Sequence, residues 1–234
     1  DNEINALTLA RVGRGTTFHH IEIYANLDDG IEWFGGTCNM KYAVVAYCGD
    51  DSFDVDYGWN GAVQFGLSIM SELPDNGDSG SEQDGGKSSD DAEPFGMAKF
   101  YNMTIIGDGF QSTDGGTKGL RFRDNNGNSW VNSIITDFSG IALQIEDRDD
   151  REDSYNRFAN GDLMLRNNIF GVFGAGNTWE TVVVVDDDGD GHIDAAAQRD
   201  AILPTIADGG NVLQDPGITF LSRDRANSFD PRPK

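Results

Sequence analysis

Residues 28–33 read Asp28-Asp29-Gly30-Ile31-Glu32-Trp33, and residues 50–55 read Asp50-Asp51-Ser52-Phe53-Asp54-Val55. Two carboxylates, a small residue, then apolar side chains alternating with acidic ones return after 50 − 28 = 22 positions. Just upstream, Ile21 and Ile23 fall on Ala43 and Val45 at the same offset. Alternation with a period of two marks a strand with one buried face. Strands that recur every twenty-odd residues between Gly and Asp turns predict coils of a parallel solenoid. Each such coil buries its inner face only against the next.

Two strand columns extend the repeat. The first pairs residues two apart: Ile21/Ile23, Ala43/Val45, Leu67/Ile69, Met103/Ile105, Asn132/Ile134 and Asn167/Ile169. The second opens on a small residue with apolar residues one and three places later. It runs Gly30 with Ile31 and Trp33, Ser52 with Phe53 and Val55, Gly119 with Leu120 and Phe122, and Gly140 with Ile141 and Leu143. Gly80 with Ser81 and Gln83 is a weaker copy. A sandwich would need hairpin turns between paired strands. The Asn-Gly steps here fall between repeats or inside insertions. The predicted fold is therefore all-β, a parallel β-helix with long acidic loops and a short C-terminal helix. Asn132 and Asn167 admit two readings, an inward amide ladder along the axis or separate turn asparagines.

Coils are expected over 1–176, with insertions at 71–98 and 146–160 that read as exposed loops. A capping segment is expected over 177–234. It holds an apolar strand at 181–185, an Asp-rich loop, and a helix near 195–203 with Asp194 as N-cap and Pro204 as its stop.

Charge narrows the function. Across 234 residues, 40 acidic and 17 basic side chains leave a net charge of −23. That balance argues against nucleic acid and anionic membrane surfaces as partners. No segment approaches the ~20 apolar residues of a membrane span. Self-repulsion of this size calls for an offset, and bound calcium supplies one; simple solubility is the plain alternative. Cys38 and Cys48 could pair in an oxidising compartment or remain buried thiols.

The sharpest local motif is Asp186-Asp187-Asp188-Gly189-Asp190-Gly191-His192-Ile193-Asp194. Asp186, Asp188, Asp190 and Asp194 stand at positions one, three, five and nine of a calcium loop, with Gly191 at the sharp turn and the carbonyl of His192 at position seven. The twelfth position, normally a bidentate Glu, is Ala197. A second candidate is the outward row of the second column: Glu32, Asp54, Asp56, Glu82 and Asp84, followed by Arg121 and Arg123. Coils sit ~4.8 Å apart, so these like charges would crowd unless a cation intervened. The turn carboxylates Asp28, Asp29, Asp50 and Asp51 precede the row, and Tyr57 and Trp59 could form an aromatic platform for a sugar beside it. An ordinary acidic surface is the plain alternative. His19 and His20, adjacent in a strand, should face opposite sides. Zinc is not expected, because its ligands must converge.

The runs Asn5-Ala6-Leu7-Thr8-Leu9, Val12-Gly13-Arg14-Gly15-Thr16-Thr17, Asp28 to Thr37, Val63-Gln64-Phe65-Gly66 and Phe229-Asp230-Pro231-Arg232-Pro233 carry a resemblance across nearly the whole chain. They resemble large secreted or surface proteins of marine and Bacteroidetes-type bacteria, which are right-handed parallel β-helices. The resemblance implies an extracellular or cell-surface location and a piece of a longer protein. Pectin-degrading enzymes share that fold. Asp50-Asp51 after Gly49 imitates the paired Asp of the glycan hydrolases among them, but their Gly-His-Gly and Arg-x-Lys motifs are absent. Calcium-dependent lyases pair an acidic face with a basic residue, a role Arg121 or Arg123 could imitate. The expected function is a calcium-stabilised structural or adhesive surface module whose partners are extracellular polysaccharide or copies of itself. The alternative is a calcium-dependent polysaccharide lyase or glycan-binding module.

Overall fold

Each strand of the coils pairs in parallel with a strand one coil away, not with its neighbour in sequence. The computed structural model describes residues 4–72, 77–86, 93–113, 116–148, 152–187, 189, 191–220 and 230–233. The first two coils are β1 (Leu7–Val12) with β2 (Thr17–Tyr24), and β3 (Ile31–Gly36) with β4 (Asn39–Ala46). The next three each have three strands: β5 (Phe53–Asp56), β6 (Ala62–Gln64) and β7 (Leu67–Ile69); β8 (Ser79–Asp84), β9 (Lys99–Tyr101) and β10 (Thr104–Ile106); β11 (Lys118–Arg123), β12 (Ser129–Val131) and β13 (Ile134–Phe138). Then come β14 (Ile141–Glu146), α1 (Ser154–Asn160), β15 (Met164–Arg166) and β16 (Ile169–Phe173). The last turns are α2 (Trp179–Val182), β17 (Val183–Asp186), α3 (Ala195–Asp208), β18 (Val212–Leu213), β19 (Ile218–Phe220) and β20 (Asp230–Pro233).

Three faces result. The first sheet runs β1-β3-β5-β8-β11-β14-β17. A second, larger sheet bends along its length. One face holds β6, β9, β12 and β15 with the first halves of β2 and β4; the other holds β7, β10, β13, β16 and β18 with their second halves. Only β19 and β20 pair antiparallel among the described strands.

The bend has a backbone cause. His20, Tyr42, Phe65, Asn102, Asn132 and Asn167 all take φ between 55° and 62°. Left-handed backbone costs a non-glycine residue roughly 1–2 kcal/mol, less for Asn. The aromatic members recover part of that by stacking: His20 on Tyr42 at 4.7 Å, and Tyr42 on Phe65 at 5.3 Å and 8°. Asn132 donates its side-chain amide to Asn102. The asparagines are thus turn residues, and the amide contact between them lies outside the coil.

The first column slips by one residue after the second coil. Leu67 and Ile69 pair with Val44 and Ala46, not with Ala43 and Val45. Ile134 and Ile169 share that outer row. The inward positions are Ser68, Ile105, Ile135 and Phe170 in one row, with Ser133, Asn168 and Asn211 stacked in the other. Ser133 N–H donates to the Asn168 side chain at 2.9 Å, and the Asn168 amide to Asn211 at 3.0 Å. A polar inward residue leaves no hydrophobic signal, and a slip of one exchanges the faces. The outer row is apolar because Ala46, Ile69 and Ile106 pack with Tyr47, Leu67 and Ile218 in a second, smaller core.

In the second column Ile31, Phe53 and Leu120 share one inner stripe through Ser81, but Leu143 and not Ile141 continues it. Along the main core, Trp33 stacks on Trp59 at 4.7 Å, and Phe100 on Trp130 at 4.5 Å and 5°. Trp59 has no exposed surface. It is therefore a core residue, not part of a sugar platform. Cys38 and Cys48 are free and buried.

Parts of both insertions form regular structure among the described residues. Within 71–98, β8 is a paired, mostly buried strand between β5 and β11. Within 146–160, buried Asp153 caps α1 by accepting from the Asn156 N–H at 2.7 Å. From residue 177 the chain supplies β17 to the first sheet and β18 to the second, with α3 between them. Thr181 and Val182 belong to α2, not to a strand. Pro204 does not stop α3, which runs on to Asp208. Interior proline costs ~3 kcal/mol. Burying Ile202 and Ile206 against the core offsets it at about 1.5–3 kcal/mol for each side chain.

Candidate metal centre on the first sheet

Strand register brings the outward residues of the first sheet into rows. Glu32 pairs with Asp54, Asp54 with Glu82, Glu82 with Arg121, and Arg121 with Gln144. Asp84 pairs with Arg123 in the neighbouring row. The predicted residues therefore do share one face. Most of them are nonetheless buried: Glu32, Asp56 and Asp84 each expose less than a tenth of their surface.

The acidic face divides in two. In one half, Arg123 holds Asp84 through Nε at 2.8 Å and a terminal nitrogen at 2.9 Å, and reaches Glu82 at 2.6 Å. Arg121 holds Glu82 at 2.8 Å and Asp78 at 3.2 Å, and Lys118 holds Asp78 at 2.6 Å. Such forked, charge-assisted contacts are the strong ones. They commit Glu82 and Asp84 to protein cations. Burial opposes the charge on Arg123, yet Asp84 and Glu82 hold it firmly protonated. Neither arginine stands free to act as a base.

In the other half, Asp29, Glu32 and Asp54 form no ion pair among the described residues. Oxygens of Asp29, Glu32 and Asp54 all lie within 4.8 Å of one another, as do those of Asp28, Asp29 and Asp50. Asp29 belongs to both groups. Asp29 accepts from the Asp51 N–H at 3.0 Å, and Asp51 accepts from the Ser79 N–H at 2.5 Å, so successive coils are tied through these carboxylates. Glu32 accepts from Asn5. Asp54 Oδ1 has almost no accessible surface and no hydrogen-bond partner.

Burial, reinforced by Asp50, pushes the Asp29 carboxyl from 3.8 up to about 8. Burial raises Asp51 and Asp54 well above the usual range, with neighbouring carboxylates adding to it, and it raises Glu32 as well. Glu82 rises to about 7 from burial and Asp84, despite both arginines. The cluster must take up protons or a cation near neutral pH. Two oxygens on one calcium ion are at most ~5 Å apart, given Ca–O distances of 2.3–2.6 Å. The all-oxygen triad fits that ion and offers nothing of the nitrogen or sulfur set that zinc prefers.

A sequence model of pectate-lyase-like β-helix domains matches residues 1–211. The chain belongs to that family. Neither the search of curated proteins nor that of solved structures gives a match.

Elsewhere in this β-helix domain, the Asp-rich loop is partly described. Asp188 and Asp190 lie outside the described residues. Asp186 accepts from the Gln144 amide, and Asp194 caps α3 through the Ala197 N–H at 3.1 Å. Gly189 and Gly191 are left-handed, at φ 75° and 72°, as a tight loop requires. His19 and His20 do not face opposite sides: both are exposed, with their Nδ1 atoms 3.0 Å apart, because His20 sits at the left-handed bend. Asp29 is the member of the triad that the row of strand residues misses, since it lies in the turn. Its signal was the Asp-Asp pair recurring at the 22-residue offset.

Proposed function

We propose that this β-helix domain is a calcium-stabilised structural or adhesive module at the cell surface or outside the cell, part of a larger protein or assembly. Its solenoid is read as right-handed, the hand that twisted parallel strands impose on their crossovers. The observation that carries the reading is the largely buried Asp29–Glu32–Asp54 triad, which spans two coils with no ion pair to neutralise it among the described residues. An ion held there would clamp adjacent coils together. A second calcium is proposed for the loop of Asp186, Asp188, Asp190, the His192 carbonyl and Asp194. Polysaccharide or further copies of the chain are the proposed partners.

The lyase alternative draws on the family, but the arginines beside the acidic face are already bound to carboxylates. Thermal melting of metal-free protein with and without calcium tests the main reading. A midpoint that rises with calcium, and metal analysis showing at least one tightly held calcium, support it. Identical melting in calcium and chelator defeats it. Absorbance of unsaturated product from acidic glycans tests the alternative.

A further inference from the structure

Two of the three histidines in this chain are adjacent, His19 and His20 on β2, and the third, His192, lies in the Asp-rich loop. A regular strand would point neighbouring side chains to opposite sides. Here the left-handed φ of 55° at His20 turns its ring to the side of His19. Both residues are exposed, and their ring planes cross at 87° with centroids 5.1 Å apart. Their Nδ1 atoms face each other at 3.0 Å. The His20 ring is held in turn against Tyr42, at 4.7 Å and 31°. The acidic face makes no use of either histidine, because its carboxylates belong to the first sheet and its turns, whereas β2 belongs to the second.

Two facing imidazole nitrogens are joined either by one proton or by one ion. With a proton, one ring donates and the other accepts. With an ion, both rings carry their hydrogen on Nε2 and turn the Nδ1 lone pair to the metal. Two nitrogens roughly 2.0–2.1 Å from one ion stand about 2.9 Å apart at a right angle and about 3.4 Å apart at the tetrahedral angle. The observed 3.0 Å fits the right-angled corner. Ions that prefer square-planar or tetragonal nitrogen and oxygen sites are copper(II) and nickel(II), and copper(II) binds the tighter of the two. Among the described residues no carboxylate or thiol joins the pair in a close group of three. Zinc, which takes three or four convergent protein ligands, is therefore not served here.

We propose that His19 and His20 form a copper(II) site, with the two Nδ1 atoms as neighbouring corners and water in the remaining ones. The ion sits beside the line between the nitrogens, reached by a small rotation of two exposed rings. Lys41 pairs in register with His19, and Arg14 lines the same groove. Glu22 lines the groove on the other side of His20. The two protein cations oppose a bound metal, but exposed charges interact weakly through water. The net charge of −23 draws cations toward the molecule as a whole. This inference is independent of the calcium reading, because its ligands are nitrogens and it lies on a different sheet.

Calorimetric titration of the whole chain with copper(II), joined to electron paramagnetic resonance of the loaded protein, tests it. Excess calcium is present throughout to compete for the carboxylates. Expected is one copper(II) per chain, with a spectrum that shows directly bonded imidazole nitrogen. H19Q and H20N should each weaken binding by roughly tenfold or more, at least the loss that follows removal of a group behind a metal-bound histidine. H20N keeps the left-handed bend, since Asn102, Asn132 and Asn167 hold the same bend in other coils, and both variants should melt like the parent. H192Q should bind copper as the parent does. K41Q should bind it about twofold tighter, with one opposing exposed charge removed. Four results would each overturn the proposal: copper affinity unchanged in both H19Q and H20N; a spectrum of oxygen ligands alone, which assigns the metal to the carboxylates; binding lost in H192Q, which assigns it to the Asp-rich loop; or zinc bound as tightly as copper, which assigns a tetrahedral site.

Discussion

Replacing Asp54 by Asn should have opposite consequences with and without calcium. Asp54 Oδ1 has no protein partner, so the amide removes a charge without breaking a hydrogen bond at that oxygen. The cost of ionising this cluster is large. Raising Asp29 from 3.8 to about 8 corresponds to on the order of 6 kcal/mol, at ~1.4 kcal/mol per tenfold change in proton affinity. A domain's whole stability is only ~5–15 kcal/mol. Relieving one of several neighbouring charges should return about 2 kcal/mol, or ~4–8 °C in a domain of this size. In chelator at pH 8, D54N should therefore melt above the parent. In calcium the order should reverse. The parent gains ~2.7 kcal/mol when calcium is at a hundred times its Kd, and the variant, short of one ligand, gains little of it. Differential scanning calorimetry of both proteins in both conditions measures all four midpoints. Should D54N melt lower in chelator and keep the parent's full calcium shift, the carboxylates are neither mutually repulsive nor metal-binding.

The remaining expectations follow from other parts of the fold. In chelator, stability should fall as pH rises from about 4 to 8, because the raised carboxyls bind more protons folded than unfolded; calcium should flatten that slope, and a chelator profile that rises with pH contradicts the cluster's electrostatics. R123M should lower the melting point by a loss of about 2–4 kcal/mol, since it takes from buried Asp84 its arginine and leaves Glu82 to Arg121 alone, with thermal melting as the measure. W59A should cost ~3–5 kcal/mol by removing a ring stacked on Trp33 and set edge-on to Phe100, with denaturant unfolding as the measure. G30A should destabilise even without any charge change, because its Cβ would lie 2.3 Å from Val45 Cγ1 and 2.6 Å from the Ser52 carbonyl.

The coil architecture was legible wherever two strands carried strong alternation. Ile31 over Phe53 and Glu32 over Asp54 follow directly from the 22-residue repeat. Legibility failed where inward positions turned polar or small, as at Gly66, Ser68, Ser133 and Asn168, because nothing in a hydrophobic pattern marks them. It failed again at Leu67, Ile69, Ile134 and Ile169, where apolar residues point outward and Leu67 and Ile69 sit under Ile218. For the candidate metal centre, the row of acids was legible, but not its division into an arginine-neutralised half and a triad without an ion pair among the described residues.

Sequence alone settled the parity of β3, β5, β8 and β11: a period of two puts alternate side chains on opposite sides of a strand. That was enough to set Glu32, Asp54 and Glu82 on one surface, and Arg121 with them. Which of those groups come within a few ångströms was left to the tertiary structure. Coil spacing, the path of the insertions and the reach of two arginines are long-range quantities that no local pattern encodes. They brought the turn residue Asp29 to within 4.8 Å of Glu32 and Asp54.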